Sequence, residues 1–153
     1  MKRLVLDASA VVAALCSPGR GATLVVLEAA RLGLVQIVVC DEAEAEYRRA
    51  VEHPRVRRYA RLADRQGFVS ALCDGGMRVR PSAEPLHVWH SADAVYVQAA
   101  IAGGARTVLS FNVRHFLPPP APNVPAPRHP VRVEVAGVTV MEPRLYLPAL
   151  REG

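Results

Sequence analysis

Leu4-Val5-Leu6-Asp7-Ala8-Ser9-Ala10-Val11-Val12-Ala13-Ala14-Leu15 is the stretch from which the fold is read. Leu4, Val5 and Leu6 make an unbroken apolar run, the pattern of a short strand buried on both faces. The alanine-rich segment from Ala8 to Leu15 is helical by composition, and Ser17-Pro18-Gly19 ends it. Asp7 stands where strand and helix meet. A carboxylate at the C-terminal end of a buried parallel strand lies where open α/β sheets place their ligands. Burying it there without a partner is costly. Its bland reading is helix capping, a task for which Ser9 is also available.

The same juncture recurs along the chain. Residues 36–40 are a β-branched run that predicts a second strand. Asp41-Glu42-Ala43-Glu44-Ala45-Glu46-Tyr47 predicts the helix after it, with Asp41 and Glu44 as a capping box and an end before Pro54. Glu46 shares a face with Glu42 one turn earlier, while Tyr47, Arg48 and Arg49 read as solvated helix surface. Asp93 opens a helix over 93–102 that stops at Gly103-Gly104. Three carboxylates brought together repel one another unless a cation stands between them. Hard divalent ions take oxygen ligands of this kind. His53, His87, His90 and His129 show no ligand-like spacing and read as loop histidines.

Other segments fill in the alternation. Residues 22–32 predict a helix capped by Gly33, residues 56–73 a helix with arginines on one side, and residues 77–79 a short strand after Gly75-Gly76. Residues 81–90 read as loop and residues 107–110 as strand. The proline-rich segment 118–130 cannot be regular structure. Residues 131–135 and 138–141 predict a hairpin through Ala136-Gly137. Strands alternating with helices argue for an α/β class with a mostly parallel sheet.

At 153 residues the chain is most simply one domain, 1–153, with a sizeable core. Hydrophobic content of 51% with only 5% aromatics implies a core of Val, Leu, Ile and Ala, which suits a parallel sheet covered by helices. The net charge of +5 favours a polyanionic partner. Lys2 is the sole lysine, which we read as a coding or growth-temperature signature and not as function. Cys16, Cys40 and Cys73 lack metal-ligand spacing and read as buried, reduced thiols of a cytoplasmic protein. Met1-Lys2-Arg3 begins like a signal peptide, but the apolar run meets Asp7 after three residues. The apolar stretch 22–39 is interrupted by Glu28 and Arg31, so no membrane span is expected.

These motifs carry a resemblance. The opening strand and helix are similar to those of PIN-domain ribonucleases. Residues 41–49 followed by His53-Pro54 resemble that family's Glu-Tyr helix, in which the glutamate matching Glu46 is a metal-site acid. Residues 93–105 with Thr107-Val108-Leu109-Ser110-Phe111-Asn112-Val113-Arg114-His115-Phe116 resemble its closing motif. Residues 138–150, with Glu142-Pro143, resemble its terminal strand and helix. Within the family the chain looks most like VapC-like toxins of toxin–antitoxin pairs. The resemblance implies a three-layer α/β/α fold and a metal-dependent endoribonuclease, with Mg²⁺ or Mn²⁺ held by Asp7, Glu46 and Asp93.

It further implies catalytic roles for Asp7, Glu46, Asp93 and Asn112, with Ser9, Ser110 and His115 orienting substrate. Arg48, Arg57 and Arg58 would guide an RNA backbone. A cognate antitoxin, a homodimer and a cytoplasmic setting complete the expectation. One departure stands out: the family's last strand is commonly followed by an acid, and here Asn112 and His115 occupy that region. Fewer negative ligands weaken Mg²⁺ binding, so the alternative is a degenerate PIN module that binds RNA or a protein partner. A small-molecule-binding flavodoxin-like domain would need a phosphate-cradling glycine loop, which the sequence lacks.

Overall fold

β1 (Lys2–Leu6) lies inside the sheet, and Leu4, Val5 and Leu6 are completely buried. The computed structural model describes residues 1–17, 21–125 and 127–152, with positions 62 and 63 described for backbone alone. Positions 18 and 19 of the expected helix terminator and position 126 of the proline-rich segment therefore lie outside the described residues. The further strands are β2 (Val35–Val39), β3 (Met77–Arg78), β4 (Thr107–Leu109), β5 (Arg132–Val135) and β6 (Val138–Met141). They form a six-stranded sheet in the order β3-β2-β1-β4-β6-β5. Every neighbouring pair is parallel except the β5–β6 hairpin. That hairpin turns through Ala136 and Gly137, both at positive φ, as a two-residue turn between twisted strands requires.

Helices α1 (Ala8–Cys16), α2 (Ala22–Arg31), α3 (Asp41–Ala50), α4 (Pro54–Arg57), α5 (Leu62–Asp74), α6 (Ala94–Gly103) and α7 (Pro143–Arg151) flank this sheet in the three-layer α/β/α arrangement. α6 is apolar nearly all round because it spans the sheet centre, against β1, β2, β4 and β6. Its last residue approaches β2 so closely that a Cβ on Gly103 would lie 2.6 Å from Val38 Cγ1. Gly103→Ala is therefore expected to destabilise the protein by about 1–3 kcal/mol through overpacking, measured by chemical denaturation. Gly104 follows at φ 68°, the left-handed cap that ends the helix.

Several local expectations are corrected, those for Arg48 and Cys16 among them. The single helix over 56–73 is two: α4 and α5 are separated by a bend that Arg65 holds from beneath. Arg65 is buried, donates to the Ala60 carbonyl (2.6 Å) and pairs with Glu52 (3.1 Å). The capping box on α3 does not form, because Asp41 and Glu44 both pair with Arg78 on edge strand β3, and the N-cap position falls to Cys40. Tyr47 is fully buried instead of solvated; its hydroxyl donates to the Leu6 carbonyl and its ring stacks on Tyr96 at 6.4 Å. Arg48 is half-buried and bridges Glu44, Gln66 and Ser70, while Arg49 is exposed. The thiols of Cys40 and Cys73 are buried and that of Cys16 is half-exposed, and all three are free. Among the described residues no helix is long and apolar enough to cross a membrane.

Candidate functional site

Strands β1, β2, β4 and β6 run parallel, so their C-terminal ends share one edge of the sheet. Asp7 follows β1, α3 follows β2, and Ser110 follows β4. α6 runs back across the sheet: its C-terminal Gly103 carbonyl accepts from Arg3 at the start of β1 (3.1 Å). Asp93, at the other end of α6, therefore returns to the edge that carries Asp7. An apolar cleft lined by Leu24, Leu27, Phe68 and Leu72 lies beside Met1 and Val35, at the opposite edge.

Asp7 is only 3% exposed. It is the N-cap of α1: Oδ1 accepts from the Ala10 N–H at 3.0 Å and from Ser9 Oγ at 2.6 Å. Its Oδ2 accepts from Ser110 Oγ. The two serine hydroxyls also accept from the loop after β4, Ser9 from the Phe111 N–H (2.9 Å) and Ser110 from the Asn112 N–H (2.8 Å). Each hydroxyl thus spends its one O–H donor on Asp7, and both act here by fixing that carboxylate to the β4 loop. Among the described residues no cationic side chain pairs with Asp7. Burial consequently pushes its carboxyl up to about 6, against the lowering hydrogen bonds from Ser110, Ser9 and Ala10, and the Asp93 charge adds to the rise.

Tyr96, from α6, feels the charge of all three acids. Burial raises its phenol far above the usual range, and the charges of Asp7, Glu46 and Asp93 raise it further. Among the described residues the buried Tyr96 hydroxyl has no hydrogen-bond partner; the Ala8 N–H lies towards it without reaching hydrogen-bond geometry. Glu46 is the wettest of the three acids and pairs with Arg49 at 2.8 Å. The charges of the three carboxylates thus bear on one phenol, but among the described residues their oxygens do not form one tight cluster.

The tight cluster is different. His90, Asp93 and His115 each offer a ligand atom, and these atoms lie within 4.8 Å of one another. Asp93 Oδ2 is 2.9 Å from His115 Nδ1, and the His90 and His115 rings stack at 3.7 Å. Asn112 is exposed; its carbonyl accepts from the His115 N–H (2.9 Å), opening a 3₁₀ turn over Val113–Phe116. His90 was a loop histidine by sequence. Its signal was the spacing His90-x-x-Asp93, which a second 3₁₀ turn, Ser91–Asp93, folds into contact. Nothing in the sequence announced the approach of His115. Arg57 and Arg58 are exposed at the C-terminal end of α4.

A family model described as PIN domain matches residues 3–114. The chain belongs to the PIN-domain family. No curated protein and no solved structure matches it significantly. The matched segment of this PIN domain contains Asp7, Glu46, Asp93 and Asn112, and ends one residue before His115. PIN domains are generally nucleases and typically use divalent metals, so membership supports nuclease-type chemistry. The donor chemistry fits such an ion. Among the described residues Asp7 is desolvated with no cationic partner, and the Tyr96 hydroxyl, which has no hydrogen-bond partner among them, feels the charge of all three carboxylates. Negative oxygen donors thus exceed local cations, the imbalance that a hard divalent ion relieves.

Proposed function

We propose that this PIN-domain protein is a metal-dependent endoribonuclease that hydrolyses RNA phosphodiesters, acting in the cytoplasm as the toxin of a toxin–antitoxin pair. The observation that carries the reading is Asp7, a buried carboxylate that no counter-charge among the described residues pairs, at the C-terminal edge of the parallel strands. Asp7, Glu46 and Asp93 would hold Mg²⁺ or Mn²⁺. When bound, the ion supplies Lewis acidity at the phosphate and offsets the charge that gathers there. Ser9, Ser110 and the Ala10 N–H keep Asp7 in one orientation. Glu46, the acid most open to water, is the base for the attacking water molecule. Exposed Asn112 offers its carboxamide to water or phosphate oxygen, and Arg57 and Arg58 attract the RNA backbone.

Cleavage of a fluorescent RNA at titrated metal tests the reading. Weak cutting is expected, faster with Mn²⁺ than with Mg²⁺, because amide and imidazole neighbours suit the softer ion. A second reading, a PIN module that binds RNA or protein without cutting, draws on the His115 contact that already occupies Asp93. It gains if the natural chain cuts nothing at millimolar Mn²⁺ while His115→Asp does. The partners belong to the same proposal: a cognate antitoxin, supported by the VapC-like resemblance, and a homodimer whose subunits together form a basic groove. Light scattering is expected to give a dimer at micromolar concentration, and a monomer throughout that range would remove the groove.

A further inference from the structure

His90 has no part in the chemistry above, yet its backbone is tied to the segments that carry Asp93 and His115. Its N–H donates to the His115 carbonyl (3.1 Å), its own carbonyl accepts from the Asp93 N–H (2.9 Å), and the Trp89 N–H donates to the Leu117 carbonyl (2.8 Å). Two chain segments remote in sequence are thereby pinned side by side, carrying two imidazoles and one carboxylate. Arg114, in the same turn as His115, is drawn over the Trp89 ring at 4.4 Å, so its guanidinium is engaged there.

We propose that His90, Asp93 and His115 form a site for a late first-row divalent ion, with Zn²⁺ the best fit. Two nitrogens and one oxygen are the donors that such ions favour, whereas Mg²⁺ is bound by oxygens and water. Three protein ligands leave a fourth tetrahedral position open. As the rings stand, with planes 13° apart, their in-plane lone pairs cannot meet at one ion. His90 is exposed whereas His115 is tied to Asp93, so His90 is the ring that turns out of the stack on binding. Asp93 also belongs to the oxygen set proposed above, so Zn²⁺ and Mg²⁺ compete for it.

The test titrates the full chain with zinc chloride and with magnesium chloride, by calorimetry and by NMR of the five histidine side chains. One Zn²⁺ per chain is expected, with the His90 and His115 signals moving together at the first equivalent while those of His53, His87 and His129 stay. His90→Gln and His115→Gln should each weaken Zn²⁺ binding by about tenfold or more, and His90→Gln should leave Mg²⁺ affinity unchanged. Circular dichroism of each variant confirms the fold, which exposed His90 does not support. Unaltered Zn²⁺ affinity in both variants, or first movement of any other histidine, overturns the proposal. Both readouts are independent of RNA cleavage, so the zinc site and the nuclease reading stand or fall separately.

Discussion

Asp7→Asn is expected to reduce metal-dependent RNA cleavage by at least about 100-fold, since it removes a charged ligand where even supporting residues matter tenfold or more. It is also expected to stabilise the metal-free protein at neutral pH. Burial raises the Asp7 carboxyl from 3.8 to about 6. Between those values the folded chain holds a proton that the unfolded chain has released. The stability this proton contributes is complete below about pH 4 and is lost as pH rises through about 6. At pH 7 the folded protein therefore carries a buried charge at a cost of about 3 kcal/mol. The amide carries none, so the gain from Asp7→Asn is largest at pH 7 and vanishes towards pH 4. Denaturant titrations at both pH values in chelator measure it. A variant less stable at both would mean that the Asp7 hydrogen bonds outweigh its burial, and undiminished cleavage would take Asp7 out of the site.

The sheet was legible because Leu4-Val5-Leu6 and residues 37–40 are apolar on both faces and β-branched in part, a pattern that suits a covered parallel sheet. The edge that gathers Asp7 and Asp93 was legible for a related reason: strand–helix alternation puts the ends of the parallel strands and the starts of the helices after them on one side. Long-range side-chain contacts left no such periodic trace. Tyr47 resembled surface because it sits amid charges in Glu46-Tyr47-Arg48-Arg49, yet its hydroxyl reaches Leu6 and fixes the residue before Asp7. Arg65 is a charged residue whose burial depends on Glu52 and the Ala60 carbonyl, partners that helical spacing does not reveal. The His90–His115 stack depends on backbone pairing between two irregular segments, for which no sequence period exists.

His115 is where this chain departs from the acid-rich pattern it resembles, and His115→Asp is expected to move it back. In the natural protein His115 Nδ1 lies 2.9 Å from Asp93 Oδ2, so Asp93 already has a partner that needs no metal. Both side chains are partly open to water, at 32% and 24%, so solvent screens the contact. Replacing the imidazole by a carboxylate removes this hydrogen bond and sets two like charges together. The metal-free variant is expected to lose about 1 kcal/mol, the scale of a screened surface pair. The same repulsion becomes affinity once a hard cation stands between the oxygens. Ligand present at about 100 times its Kd adds about 2.7 kcal/mol, so millimolar Mg²⁺ should raise the variant's Tm more than the natural protein's. Cleavage should rise with it, Mg²⁺ should gain on Mn²⁺, and Zn²⁺ binding should fall, because one substitution exchanges a nitrogen donor for an oxygen. A variant whose Tm responds to Mg²⁺ no more than the natural chain would show that position 115 lies outside the reach of the ion. The nuclease reading would then rest on Asp7, Glu46 and Asp93 alone.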